Sequence, residues 1–349
     1  MQKRLNNISF VRMISFIFII IYHLLMTLSP AERWYNGWGG DFFPFYMTLQ
    51  SFLFISGYLY ANKKIENKKN FYKKELIKLL LPTFCFIVLF LILHLCVHPD
   101  SINPINFWHN FISDGYPFQH LWFVWFLVIC YLLIPLFQKA LDKSNPHYKL
   151  YSKILIVCCV IEAIAEAICC FQIVICVFVF GMWYGKAQAE KRLENKKLQK
   201  LLCISIIAIS YVMFMTLRYC VYSPNAFLNN LNMGFQHFAS GLIGTSFAIL
   251  MLLSFEFLNK YKTPKILKFS DKYSYYIYLW HSMFMKAPLS LVFITPFIPL
   301  NIVITLSVGI TTATIFGFFM QKLIAIIMKP KSPDPYKVIQ KVLSDKDFK

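Results

Sequence analysis

Residues 12–23 read RMISFIFIIIYH, an apolar run with an arginine at one end and a histidine at the other. Arg12 and His23 are eleven residues apart, close to three turns of an α-helix. Both side chains therefore share one face, about 16 Å apart along the axis. The apolar residues between them are continuous rather than alternating, which is the pattern of a lipid-length helix and not of a barrel strand. Ionisable groups in such a helix are expensive and usually serve a site. An arginine near one membrane face and a histidine near the bilayer middle together mark a polar path into the membrane.

The rest of the chain repeats the pattern. It has 349 residues, 58% of them hydrophobic and 15% charged, with a mean hydropathy of +0.55. A soluble domain carries about 25% charged residues. Ten apolar spans stand out, near 10–29, 42–61, 79–97, 120–138, 154–167, 171–185, 201–221, 235–257, 274–292 and 302–321. The expected fold is an all-α polytopic helical bundle of about ten transmembrane helices. Residues 1–328 form one integral membrane domain, and 329–349 a short charged cytoplasmic tail. The net charge of +19 is placed by membrane topology and not by nucleic acid. Every Lys and Arg except Arg33, Arg218 and Lys286 falls in the N-terminus, in alternate loops or in the C-terminus, as the positive-inside rule requires when both termini are cytoplasmic. Span 154–185 is short for a hairpin. Lysines flank it on both sides, so two short helices turning near Glu166 to Cys170 are expected. The first span is too long, and too poorly followed by small residues, for a cleaved signal peptide. The ten cysteines form no CxxC and no Cys/His ligand array, so no metal site is expected.

The basic loops are ANKKIENKKNFYKKELIK (61–78), GKAQAEKRLENKKLQK (185–200) and NKYKTPKILKFSDK (259–272). The opposite loops, SPAERWYNGWGGDFF (29–43) and HPDSINPINFWHNFISDGYPFQH (98–120), are aromatic. Their Trp and Tyr residues suit either sugar stacking or an interfacial belt. Five stretches carry candidate chemistry. The first is the Arg12–His23 helix, with His23 as a general base near neutral pH. In QSFLFISGYLY (50–60), Ser56-Gly57 lacks the context of a nucleophile elbow and reads as close helix packing. In FYKKELIKLLLP (71–82), Lys74 and Lys78 share a face at the start of the third span, suited to phosphates or to lipid headgroups. HLWFVWFLV (120–128) places His120 and Trp122 where an extracytoplasmic acceptor arrives. In KYSYYIYLWH (272–281), Ser274, Tyr278 and His281 follow i, i+4, i+7 and form one polar stripe. Glu162 and Glu166 form an acidic pair that either meets His23 or His281 or turns to the outer surface. His237, Gly241 and Gly244 share a face and read as helix contact.

In this order and spacing, the stretches resemble the acyltransferase-3 family of bacterial integral membrane proteins. Arg12 and His23 match its Arg-x10-His first helix. Phe52 to Leu59 match its aromatic SG stretch, and Phe71 to Pro82 its basic stretch ending in proline. His120 to Phe123, Val179 to Gly185 and Ser274 to His281 match its remaining motifs. The likeness spans residues 10 to 320. Gln50 stands where many members have Asp, and lysines replace arginines around Glu75, so bidentate phosphate contacts are absent there. The resemblance implies a membrane O-acyltransferase of the bacterial cytoplasmic membrane. Such an enzyme moves an acyl group, usually acetyl from acetyl-CoA, onto a hydroxyl of an envelope glycan or lipid-linked sugar. Acyl-CoA is then a co-substrate, and no cofactor is held permanently. Arg12, Lys74 and Lys78 would hold its anionic end. His23 would deprotonate the acceptor or take the acyl group transiently. Ser274, Tyr278 and His281 would position the acceptor or stabilise the oxyanion. His120 and Trp122 would meet the acceptor. The competing reading is a transporter or flippase of a glycan intermediate, which moves substrate without turning over acyl-CoA and for which inverted repeats would be the signature. Oligomeric state is left open by the sequence.

Overall fold

An apolar chain in lipid must satisfy its backbone hydrogen bonds internally, and helices do this within one segment. The computed structural model describes residues 5–28, 48–97, 119–143, 149–169, 175–220, 225–285 and 289–328. Among these residues there are ten α-helices and no strands. They are α1 (Asn6–Leu28), α2 (Thr48–Tyr60), α3 (Lys68–Val97), α4 (Trp122–Lys143) and α5 (Lys149–Cys169), followed by α6 (Ile175–Ala189), α7 (Lys196–Cys220), α8 (Ala226–Ser254), α9 (Lys265–Met285) and α10 (Ile298–Ile327). Short 3₁₀ turns precede α4 (Gln119–Leu121) and α9 (Glu256–Lys260). Six of the helices, α1, α3, α4, α7, α8 and α10, are long and apolar enough to cross a membrane by length and composition. Large apolar side chains point outward, among them Ile209 at 69% and Phe84 at 66% exposure. A water-soluble surface does not carry such patches at this density. The chain is a multi-pass helical membrane protein.

Helix starts follow local chemistry. Asn67, Asn195 and Asn225 stand just before α3, α7 and α8, and each accepts from the N–H three residues on, at 3.0, 2.9 and 3.3 Å. These are N-caps. The helices run past the apolar windows that mark them in the sequence. α3 begins at Lys68 rather than near 79, because lysine is a good helix former and its stem can lie along apolar surface. The ninth element is corrected most. Expected at 274–292, α9 occupies Lys265–Met285. Asn301 on α10 holds the turn before it through Thr295, accepting from its backbone N–H and its hydroxyl and donating to its carbonyl.

α2 packs on α6, α8 on α7, and α9 on both α1 and α10. The α2–α6 crossing is the tightest described. A Cβ on Gly57 would lie 2.1 Å from the Phe178 carbonyl oxygen, and one on Gly181 2.2 Å from that of Phe54. Thus the SG stretch and the Val179–Gly185 stretch are two halves of one close backbone approach, as the packing reading of Ser56-Gly57 expects. The Ser56 hydroxyl donates to the Phe52 carbonyl one turn back. Gln50 and Ser51 tie α2 to α8 through the Ser240 hydroxyl and the Gly244 carbonyl.

The lysine-bearing connections gather at one end of the bundle. Asn6 donates to the carbonyls of Leu258 and Tyr261. Lys196 pairs with Glu256, Lys186 with Asp142, and Lys63 with buried Glu75. Gln138 donates to Tyr60 and Lys63, and Gln321 to Lys272. The aromatic stretch 29–43, most of 98–120 and the tail from 329 lie outside the described residues.

Candidate active site

Two helices build the site. α1 and α9 run side by side in the same direction, because they meet at matching levels twice. At one level Arg12 Nη1 lies 3.5 Å from Asp271 Oδ1. At the other, the rings of His23 and His281 are 4.9 Å apart, centre to centre. The step is eleven residues on α1 and ten on α9, each about 15 Å along a helix axis. Ser15 is fully buried on the Arg12–His23 face of α1, and Ser274 is buried on the matching stripe of α9. The two stripes seen separately in the sequence thus form one polar seam.

The Arg12 end is held by three helices. Besides Asp271, the guanidinium carbon lies 5.6 Å from the ring centre of Phe52 on α2. Ser9, one turn before Arg12, donates its hydroxyl to Asp271 Oδ2 at 2.6 Å. Arg12 is half-buried rather than splayed to the lipid surface.

The far end is a histidine cluster. His120, in the turn before α4, has its ring 5.4 Å from that of His281 and 5.9 Å from that of Tyr278. His120 Nε2 lies 3.1 Å from the Leu279 carbonyl oxygen. A carbonyl only accepts, so Nε2 carries a proton in this contact. His281 Nδ1 faces the Tyr278 carbonyl oxygen, so by the same reasoning Nδ1 carries a proton there. The Tyr278 hydroxyl donates to the His120 carbonyl and pins that turn onto α9. Phe123 and Phe86 close the cluster with edge-on rings against Tyr278 and His120. Thr27 donates to the His23 carbonyl at 2.8 Å.

The structure therefore brings together Arg12, His23, His120, Ser274, Tyr278 and His281 along one seam. It does not bring the others in. Lys74 and Lys78 are exposed on α3, and no ion pair or hydrogen bond among the described residues joins them to Arg12. Trp122 is half-buried, with its ring edge-on to Phe123 and Phe126. Glu162 does not reach a histidine. Its carboxylate accepts from the Cys176 N–H at 2.7 Å and caps the start of α6, and the side chain of Glu166 lies outside the described residues. Among the described residues no group of three His, Cys, Asp or Glu has the arrangement of a metal site.

Two members of the seam escaped the sequence reading. Asp271 sits in a basic loop, KFSDKY, ahead of the span as drawn from hydropathy. The usable signal was its spacing, three residues before Ser274 on the same stripe. Phe52 was legible as part of a motif but not as the ring beneath Arg12.

The fold is thus a membrane helical bundle with a seam running from a paired arginine to a histidine cluster. A family model described as an acyltransferase domain, acyltransferase 3, matches residues 5–320. The chain belongs to that family, and it is a membrane acyltransferase. No curated protein and no solved structure matches it.

Proposed function

We propose that this protein is an O-acyltransferase of the bacterial cytoplasmic membrane. It moves an acetyl group from acetyl-CoA onto a hydroxyl of a cell-envelope or exported glycan. The observation that carries the reading is the α1–α9 seam, with a guanidinium at one end and three imidazoles at the other. Both termini are assigned to the cytoplasm. The gathering of the lysine-bearing connections at one end of the bundle supports this, since that end is also where α1 begins and where Arg12 sits.

In this arrangement Arg12 holds the anionic nucleotide end of the donor near the cytoplasm. The uncharged arm extends along the seam toward His23. The lone-pair nitrogen of His23 takes the proton of the acceptor hydroxyl as its oxygen attacks the thioester carbonyl. The carbon–sulfur bond then breaks, CoA leaves as thiolate, and the imidazolium returns the proton to it. His281, with its ring 4.9 Å from that of His23, and His120, 5.4 Å from His281, orient the acceptor. General-base action of this kind contributes about 10²–10⁴-fold in rate. Lys74 and Lys78 are assigned a peripheral role, attracting the polyanionic donor to the basic end.

The test compares surface glycan from cells with and without the gene by mass spectrometry. Loss of about 42 mass units per repeat marks acetyl transfer, and about 100 marks succinyl transfer, as acyl-group chemistry requires. An unchanged glycan, with no acyl-CoA turnover by the purified protein in nanodiscs, would refute the proposal.

A further inference from the structure

The Arg12 end of the seam contains a carboxylate that the proposed transfer does not use. Asp271 is mostly buried, its side chain 15% exposed against 29% for Arg12. A carboxylate inside a bundle is costly unless it is paired and hydrogen-bonded, and here its partners are Arg12 and Ser9. We infer that Asp271 is the positioning residue for Arg12, holding the guanidinium in the seam so that it receives the phosphates of the donor.

Three features of the geometry support this. An arginine near a membrane face, left alone, extends its stem and snorkels to the lipid headgroups. Here the head is turned inward, between Asp271 of α9 and the ring of Phe52 on α2. Second, Asp271 is itself aimed. The Ser9 hydroxyl donates to Oδ2 at 2.6 Å, and Arg12 Nη1 stands 3.5 Å from Oδ1. Ser9 and Arg12 are three residues apart on α1, so a single helix face supplies both partners. Third, the ion pair is loose. Its 3.5 Å separation exceeds the roughly 2.7–2.9 Å of a close charge-assisted hydrogen bond. Arginine has five N–H donors in a planar fork. A carboxylate at this distance orients the fork electrostatically without consuming it.

The inference rests on the acyl-CoA reading, and its test separates the two. Full-length protein in lipid nanodiscs is titrated with acetyl-CoA and, in competition, with acetyl-pantetheine, which lacks the nucleotide phosphates. Asp271→Asn is expected to weaken acetyl-CoA binding about tenfold, within the range for coupled neighbouring groups. It should leave acetyl-pantetheine unchanged and add nothing in an Arg12→Ala background. In turnover, KM for acetyl-CoA rises while kcat holds. If Asp271→Asn does not assemble, Asp271→Glu replaces it. That variant keeps the charge but moves it by one methylene, and a smaller loss confined to acetyl-CoA is expected. Unchanged or tighter acetyl-CoA binding would overturn the inference, the latter by showing that Asp271 competes with the donor. Equal weakening of both probes, or an effect additive with Arg12→Ala, would overturn it in favour of a merely structural contact. A wild-type protein that binds no acetyl-CoA would instead overturn the donor reading, and the role of Asp271 with it.

Discussion

Replacing Gly181 with alanine adds one methyl group at the α2–α6 crossing, the closest glycine approach among the described residues. The new Cβ would stand 2.2 Å from the Phe54 carbonyl oxygen and 3.1 Å from its Cα. These are backbone atoms of α2 and cannot swing aside. Carbon contacts settle at about 3.5–4.0 Å, so α2 and α6 must part by about 1 Å or more. Overpacking of this kind costs about 1–3 kcal/mol. The consequence reaches the site, because α2 carries Phe52, which lies against both Arg12 and Phe123. A 1 Å misplacement of a catalytic arrangement can cost about 10²-fold in rate. Gly309→Ala is the control. Its Cβ would meet only Phe284 Cδ2 at 3.5 Å, an ordinary contact. There the helix propensity of alanine, better than glycine by about 1 kcal/mol, decides the sign. Gly317→Ala falls between them, since its Cβ meets the Tyr276 ring at 2.6 Å and a ring can turn. Thermal unfolding in detergent or nanodiscs, paired with acyl transfer rates, should rank Gly181→Ala lowest and Gly309→Ala at or above wild type. Equal melting of the Gly181 and Gly309 variants would refute the close-approach reasoning.

The remaining predictions concern the seam and the turn before α10. His23→Ala should lose about 10²–10⁴-fold in transfer with an unchanged melting temperature; a folded variant with full transfer would remove His23 as the base. Arg12→Lys keeps the charge but loses the planar face over Phe52 and the bidentate fork. KM for acetyl-CoA should rise with kcat near wild type, and steady-state kinetics showing an unchanged KM would argue against a phosphate contact. Asn301→Ala removes a donor and an acceptor that hold Thr295 from a fully buried position. A loss of about 1–3 kcal/mol is expected, measured as earlier thermal unfolding with little change in donor affinity.

Local patterns were legible because each depends on one segment. The 3.6-residue period put Arg12 above His23, and Ser274, Tyr278 and His281 on one stripe, before any packing was known. Apolar length separated ten segments, and ten helices are described, although their ends differ. Hydropathy marks where lipid begins, whereas a helix stops where its backbone finds other partners. That is why the apolar window of α9 begins nine residues after the helix does and Asp271 falls ahead of it. Glu162 shows the same limit from another side. Its spacing to Glu166 was readable, but its partner, the Cys176 N–H, depends on how the hairpin closes.

By itself, then, the sequence determined a lipid-embedded helical bundle, the acyltransferase resemblance, and the separate stripes on α1 and α9. Only the tertiary structure decided that those stripes face each other in register, that His120 joins them from a third segment, and that Arg12 is held by Asp271 over Phe52. The physical reason is that a stripe is fixed by the period of one helix. Which stripe it meets is fixed by how the helices pack: α9 lies on both α1 and α10, and the α2–α6 crossing at Gly57 and Gly181 sets where α2 carries Phe52 against Arg12. The Arg12–His23 face is a local fact of α1, while the seam is a property of the packed bundle.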